Sequence, residues 1–143
     1  MRSIAQTAAL AALSALAPFV WAAEPGPTGF TTEELVRFGS ALQAAVRADK
    51  ADTVARFIAF PLPVNEGPTL SREIREAQFR REYTKVFTPD VKAAILAQDL
   101  SVLHQSWRGT MFGDGNVWVS GLCKDKSCSH SVLKVTAVNI RTP

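Results

Sequence analysis

Side chains that titrate or ligate metals near neutral pH are scarce in this chain, which has two histidines, two cysteines and one tyrosine. A closed zinc site needs four nitrogen or sulfur ligands in most cases, so Cys123, Cys128 and His130 would still require His104 to approach from elsewhere. The cysteines are separated by Lys-Asp-Lys-Ser, and the CxxC spacing of a dithiol redox centre is absent. None of Ser120, Ser127, Ser129 and Ser131 sits in a nucleophile-elbow sequence, and no acidic residue is assigned to orient His104 or His130. Charge of one sign is missing as well. Sixteen basic residues stand against thirteen acidic ones, mostly as sequence neighbours, which excludes the concentrated basic face of a nucleic-acid binder. Beyond the first 22 residues no apolar run is long enough to span a bilayer, and there is no internal repeat.

What is present begins with Met1–Ala22. It carries Arg2, then an alanine- and leucine-rich run ending in Val20-Trp21-Ala22, with Ala23 as a second small residue. This is the layout of a secretory signal peptide cut after Ala22 or Ala23. Pro18 and the shortness of the run argue against a retained anchor. Removal of residues 1–22 takes away one arginine and no acid, so the formal charge of +3 falls by one. The expectation is a chain exported to the periplasm or beyond the cell envelope, without stable membrane insertion after cleavage. Residues 23–30 form a flexible lead-in, and 31–143 have the length of one domain.

Thr31 and Glu34 have the spacing of a capping box, with Phe30 and Leu35 as its hydrophobic staple. Leu35, Phe38, Leu42, Ala45 and Val46 recur at helical spacing to about Ala48. Asp49 or Asp52 is expected to start a shorter helix with Val54, Phe57 and Ile58 inside. The prolines of Phe60–Val64 predict an edge strand or extended segment, because proline gives no ladder hydrogen bond. Ser71 is expected to cap a third helix carrying Ile74, Phe79, Tyr83, Val86 and Phe87. On it Arg72, Arg75, Arg80, Arg81 and Lys85 read as a solvated face with local ion pairs; an acidic-partner docking face is the alternative. Thr88-Pro89-Asp90 restarts a helix that stops near Gln98.

The second half is organised around Trp107–Val119. Two strand-like runs flank Gly113-Asp114-Gly115-Asn116, a turn rich in residues that accept positive φ. Trp107 and Met111 fall on one face and Thr110 and Phe112 on the other, while Val117 and Val119 oppose Trp118, so both faces are partly apolar. Ser131–Ile140 alternates as a closing strand, with Leu133, Val135 and Ala137 on one side. In an oxidising compartment Cys123 and Cys128 read as a disulfide at a hairpin tip.

In element order the chain resembles the NTF2-like or SnoaL-like superfamily, and more narrowly its small exported bacterial members of mostly unassigned function. Leu42–Asn65, Phe79–Asp99, Gly109–Val119 and Val135–Ile140 carry the resemblance. It implies an α+β fold in which N-terminal helices pack on a curved, mainly antiparallel C-terminal sheet, a cystatin-like cone. Family enzymes place an aspartate and a histidine inside the cone, and no such pair is matched residue by residue here. An exported ligand-binding or accessory module without cofactor or metal is therefore expected. Its pocket would lie between the Phe79–Phe87 helix and the Trp107–Val119 hairpin, with Tyr83, His104, Trp107 and Trp118 as ligand-binding residues. The partner would be a small apolar or aromatic ligand or an envelope protein, with a homodimer as a further possibility. The alternatives are a small isomerase or hydrolase using His104 or Asp99, and an envelope inhibitor or immunity-type protein.

Overall fold

The computed structural model describes residues 22–141. The expected export signal therefore lies outside the described residues except for Ala22. Helix α1 spans Thr32–Ala48 and starts as its cap sequence dictates. Glu34 N–H donates to Thr31 Oγ1 at 3.2 Å, and Thr31 N–H donates to Glu34 Oε2 at 2.8 Å. Two otherwise orphaned amides are thereby satisfied. Helix α2 is a single short stretch, Ala51–Ala55. Lys50, not an aspartate, is its N-cap, because Asp49 is consumed as the left-handed C-cap of α1 at φ 52°.

Strands β1 (Leu62–Glu66) and β2 (Leu70–Ile74) form a hairpin around Gly67, whose φ is 68°. Helices α3 (Glu76–Val86) and α4 (Pro89–Ala97) follow. Thr88 Oγ1 accepts from Val91 N–H at 3.3 Å, and Pro89 occupies the first turn of α4, where its missing donor costs nothing. The chain then lays down β3 (His104–Ser106), β4 (Gly109–Phe112), β5 (Val117–Cys123) and β6 (Ser131–Ile140). Gly113 (φ 61°) and Gly115 (φ 88°) make the β4–β5 turn, which the glycine spacing anticipates.

All six strands form one sheet in the order β2-β1-β6-β5-β4-β3. Four pairings are antiparallel, and β1 runs parallel to β6. The core lies between the helices and one face of this sheet. Leu42, Val54, Phe79, Phe87 and Ile95 meet Val64, Phe112, Val117, Val119, Val135 and Val138, all of them buried. Each such side chain contributes roughly 1.5–3 kcal/mol on leaving water.

The α+β class and the N-terminal helices agree with the sequence reading, but the cone does not. The sheet is mixed and open, neither closed nor strongly curled. The parallel β1–β6 junction sends the β1–β2 hairpin to one end of the ladder and leaves three-residue β3 at the other. Among the described residues no strand returns to join these two free edges.

Three local expectations are also corrected. The proline-bearing segment is an interior strand, flanked by β2 and β6. Its ladder with β6 begins only at Val64, so Pro63 lies outside that pairing and withholds no donor from it. Ser71 caps no helix, because residues 70–74 pair with β1 and hairpin pairing overrides the helical spacing. Arg72 accordingly leaves the expected solvated helix face and bridges Glu66 at 2.7 Å and Glu82 at 3.3 Å. In β6, a register shift between Trp118 and Val119 inserts one extra residue, Thr136. That bulge brings Val135 and Val138 to the core and leaves Ala137 on the other face, against simple alternation.

Candidate functional site

The four aromatic or imidazole residues expected at a ligand site do not converge. Tyr83 is buried on α3, where its ring stacks on Phe87 at 5.5 Å and meets Phe79 edge-on at 5.8 Å. Phe60 packs on Phe79 in turn, at 5.3 Å. These rings belong to one buried core with Phe112, Val117 and Val119 of the β4–β5 hairpin, so Tyr83 packs in the interior with them. The Tyr83 hydroxyl reaches out of the core and donates to Asp49 Oδ1 at 2.9 Å. Lys92 Nζ lies 2.6 Å from the same oxygen and 5.0 Å from the Tyr83 ring centroid. Burial, and then the Asp49 carboxylate, push the Tyr83 phenol well above its usual range. The Lys92 and Tyr83 hydrogen bonds hold the Asp49 carboxyl below its own. A phenol held neutral in this way is an anchor rather than an acid–base group.

His104 and Trp118 lie on the opposite, outer face of the sheet. The register His104–Met111–Trp118–Ala137 places them in one row across β3, β4, β5 and β6. His104 is exposed on the edge strand, and Trp118 is half-buried. Among the described residues the His104 side chain makes no hydrogen bond or ion pair. Asp99, the other residue considered for a catalytic role, lines a different hollow and accepts from Ser101 N–H (2.8 Å) and Oγ (2.6 Å). Those two bonds, the hydroxyl first, lower the Asp99 pKa and leave it ionised.

Trp107 is set apart from the others. It belongs to no strand: Trp107 and Arg108 make the tight β3–β4 turn, and Trp107 is 81% exposed. The Arg108 guanidinium lies 5.0 Å from its ring centroid. Gly109, at φ 130°, permits this turn, since a Cβ there would meet Ser120 and the Val119 carbonyl. Beside Trp107 is a hollow of about 210 Å³, shared with Phe30, Ser120, Gly121 and Cys128. A Cβ on Gly121 would come within 2.6 Å of the Phe30 ring. Phe30, Arg108 and Gly121 were not singled out for this surface, and only the sequence Trp-Arg-Gly, compact enough for a turn, points to it.

Past this hollow, β5 and β6 run on without β4 as a two-stranded ribbon, with every residue from 121 to 131 exposed. The Cys123–Cys128 disulfide closes it. Both thiols are thereby consumed, and zinc ligation by this pair is ruled out. Asp125 staples the tip by accepting from Ser127 Oγ (2.6 Å), Ser129 Oγ (2.8 Å) and Ser129 N–H (3.0 Å). These bonds, the Ser127 hydroxyl foremost, hold its carboxyl far below the ordinary range. Ser129 Oγ is also 3.1 Å from His130 Nδ1, but the aspartate here binds the serine hydroxyl directly. A nucleophilic triad would need the acid on the far imidazole nitrogen, so this cluster is a loop staple.

No family model, no curated protein and no solved structure matches the chain.

Proposed function

We propose that this chain is an exported, noncatalytic accessory module that binds its partner through the end of the sheet bearing Trp107 and the disulfide-closed ribbon. The observation that carries this reading is the 81% exposure of Trp107 beside a preformed hollow. A tryptophan left that far in water forgoes the stabilisation that burial would bring, and large exposed aromatics commonly mark interaction sites. Among the described residues no acid bonds the His104 side chain, and Asp99 is engaged by Ser101, which supports binding over turnover. Export is supported by the layout of Met1–Ala22 and by the disulfide, which suits an oxidising compartment.

Native mass spectrometry of the chain recovered gently from its own compartment tests the proposal, with wild type and Trp107→Ala compared side by side. A retained small molecule or protein that Trp107→Ala releases is the expected result. A retained partner indifferent to Trp107→Ala, or turnover abolished by His104→Ala, overturns it.

A further inference from the structure

Resting on that reading of the Trp107 end, we infer that its partner is the surface of an anionic phospholipid bilayer. The turn residues Trp107 and Arg108 stand next to the base of the β5–β6 ribbon: Ser120 Oγ donates to the Arg108 carbonyl at 2.8 Å, and Trp107 shares its hollow with Cys128. The ribbon carries Leu122, 38% exposed, and the exposed Lys124, Lys126 and His130. One end of the sheet thus presents an indole, an aliphatic side chain and three permanent cations to solvent.

Opposing charge is sparse along this stretch of chain, and the nearest acids from another element are Glu33 and Glu34, just after Phe30 of the same hollow. Between His104 and Lys134 the only acids are Asp114 and Asp125. Asp114 is in the β4–β5 turn at the far end of the hairpin, 3.5 Å from Arg141. Asp125 stays ionised, its carboxylate bound by the Ser127 and Ser129 hydroxyls within the tip, so it offsets one of these cations and leaves a net positive end. An indole flanked by cations at one exposed end of the sheet matches the headgroup layer, where the ring sits at the interface and the cations meet lipid phosphates. Among the described residues no helix is long and apolar enough to cross a membrane, so the association is peripheral. The disulfide and the Asp125 staple hold the tip in shape, which lowers the ordering cost of docking.

Cosedimentation of the chain recovered from the exporting cell, with phosphatidylglycerol-containing and pure phosphatidylcholine vesicles, tests the inference. Binding to the anionic vesicles alone, weakened by added salt, is expected. Lys124→Gln with Lys126→Gln should lower the partition on the order of 30-fold, from the usual contribution of a basic residue near an anionic surface. Trp107→Ala should also lower it, as expected for loss of an interfacial anchor. All three positions are exposed, and an unchanged circular dichroism spectrum verifies folding. Equal binding to both vesicle types, or binding indifferent to these substitutions, overturns the lipid assignment. So does the absence of vesicle binding. If native mass spectrometry then shows a Trp107-dependent protein or metabolite, the binding end stands with a different partner; if it shows none, the reading beneath the inference falls as well.

Discussion

The Tyr83 hydroxyl donates to Asp49 Oδ1 at 2.9 Å, tying the middle of α3 to the residue that ends α1. Lys92 of α4 closes on the same oxygen at 2.6 Å, so three helices are fastened at one carboxylate. Asp49 holds a left-handed conformation at φ 52°, uncommon outside glycine, and these bonds fix it there. Tyr83→Phe keeps the ring stacking and removes only the hydroxyl. A loss of about 0.5–1.5 kcal/mol is expected, the ordinary net worth of a hydrogen bond, because Asp49 is 57% exposed and solvent screens its charge. Denaturant unfolding measures it, and an unchanged midpoint would show that the bond contributes nothing net.

The same carboxylate gives a pH dependence. Asp49 has a folded-state pKa below its unfolded one, chiefly through Lys92, so the unfolded chain takes up a proton first as pH falls. Its contribution is complete above the ordinary aspartate range and is lost as pH drops through the folded value. Asp49→Asn should therefore flatten the acidic limb of the stability curve while leaving the slope between pH 6 and 8, about neutral, unchanged. Thermal unfolding of both proteins across the acidic range checks this; parallel curves would exclude Asp49 as a contributor.

Thr110 is fully buried on the inner face of β4, and among the described residues its Oγ1 has no hydrogen-bond partner. A desolvated hydroxyl without a partner costs about 1–3 kcal/mol. Thr110→Val conserves shape and β-branching, and should stabilise the protein by about 1 kcal/mol with an unchanged denaturant m-value. A destabilised variant would mean that the hydroxyl is satisfied in solution.

Trp118 and Phe79 separate the two faces of the fold. Phe79 lies in the core at 1% exposure, and Phe79→Ala should cost about 3–5 kcal/mol. Trp118 is half-buried on the outer face beside Met111 and Ala137, and Trp118→Ala should cost about 1–2 kcal/mol, less than a buried aromatic. Equal losses in equilibrium unfolding would place Trp118 under a cover in solution.

The Cys123–Cys128 loop is short, so removing the bond by paired serine substitution should cost about 2 kcal/mol in the chain-entropy account. Mass after alkylation, with and without reductant, establishes its presence in the chain recovered from the cell. Two thiols alkylated without reductant would contradict it.

The sequence by itself determined whatever depends on neighbours within a few residues. Thr31 and Glu34 start α1, Thr88 and Pro89 start α4, and Gly113 and Gly115 reverse the hairpin, because caps and positive-φ turns are satisfied by atoms already close along the chain. The cysteine pair was legible for the same reason: a five-residue separation within one loop leaves little for distant structure to choose. Tertiary structure decided the rest. Ser71–Ile74 could serve helix or strand, and the β1 hairpin partner settled it. The parallel joining of β1 to β6, across some 70 residues, made the sheet open where a cone was expected. The fates of the aromatic residues were equally nonlocal. Tyr83 and Trp107 are both large amphipathic rings in mixed surroundings, and no local signal sends one to the core and the other to 81% exposure. Burial is set by what packs on a side chain from elsewhere: Phe87, Phe79, Asp49 and Lys92 gather around Tyr83, while Trp107, on a two-residue turn at the end of the sheet, has only Arg108 over its ring and an open hollow beside it.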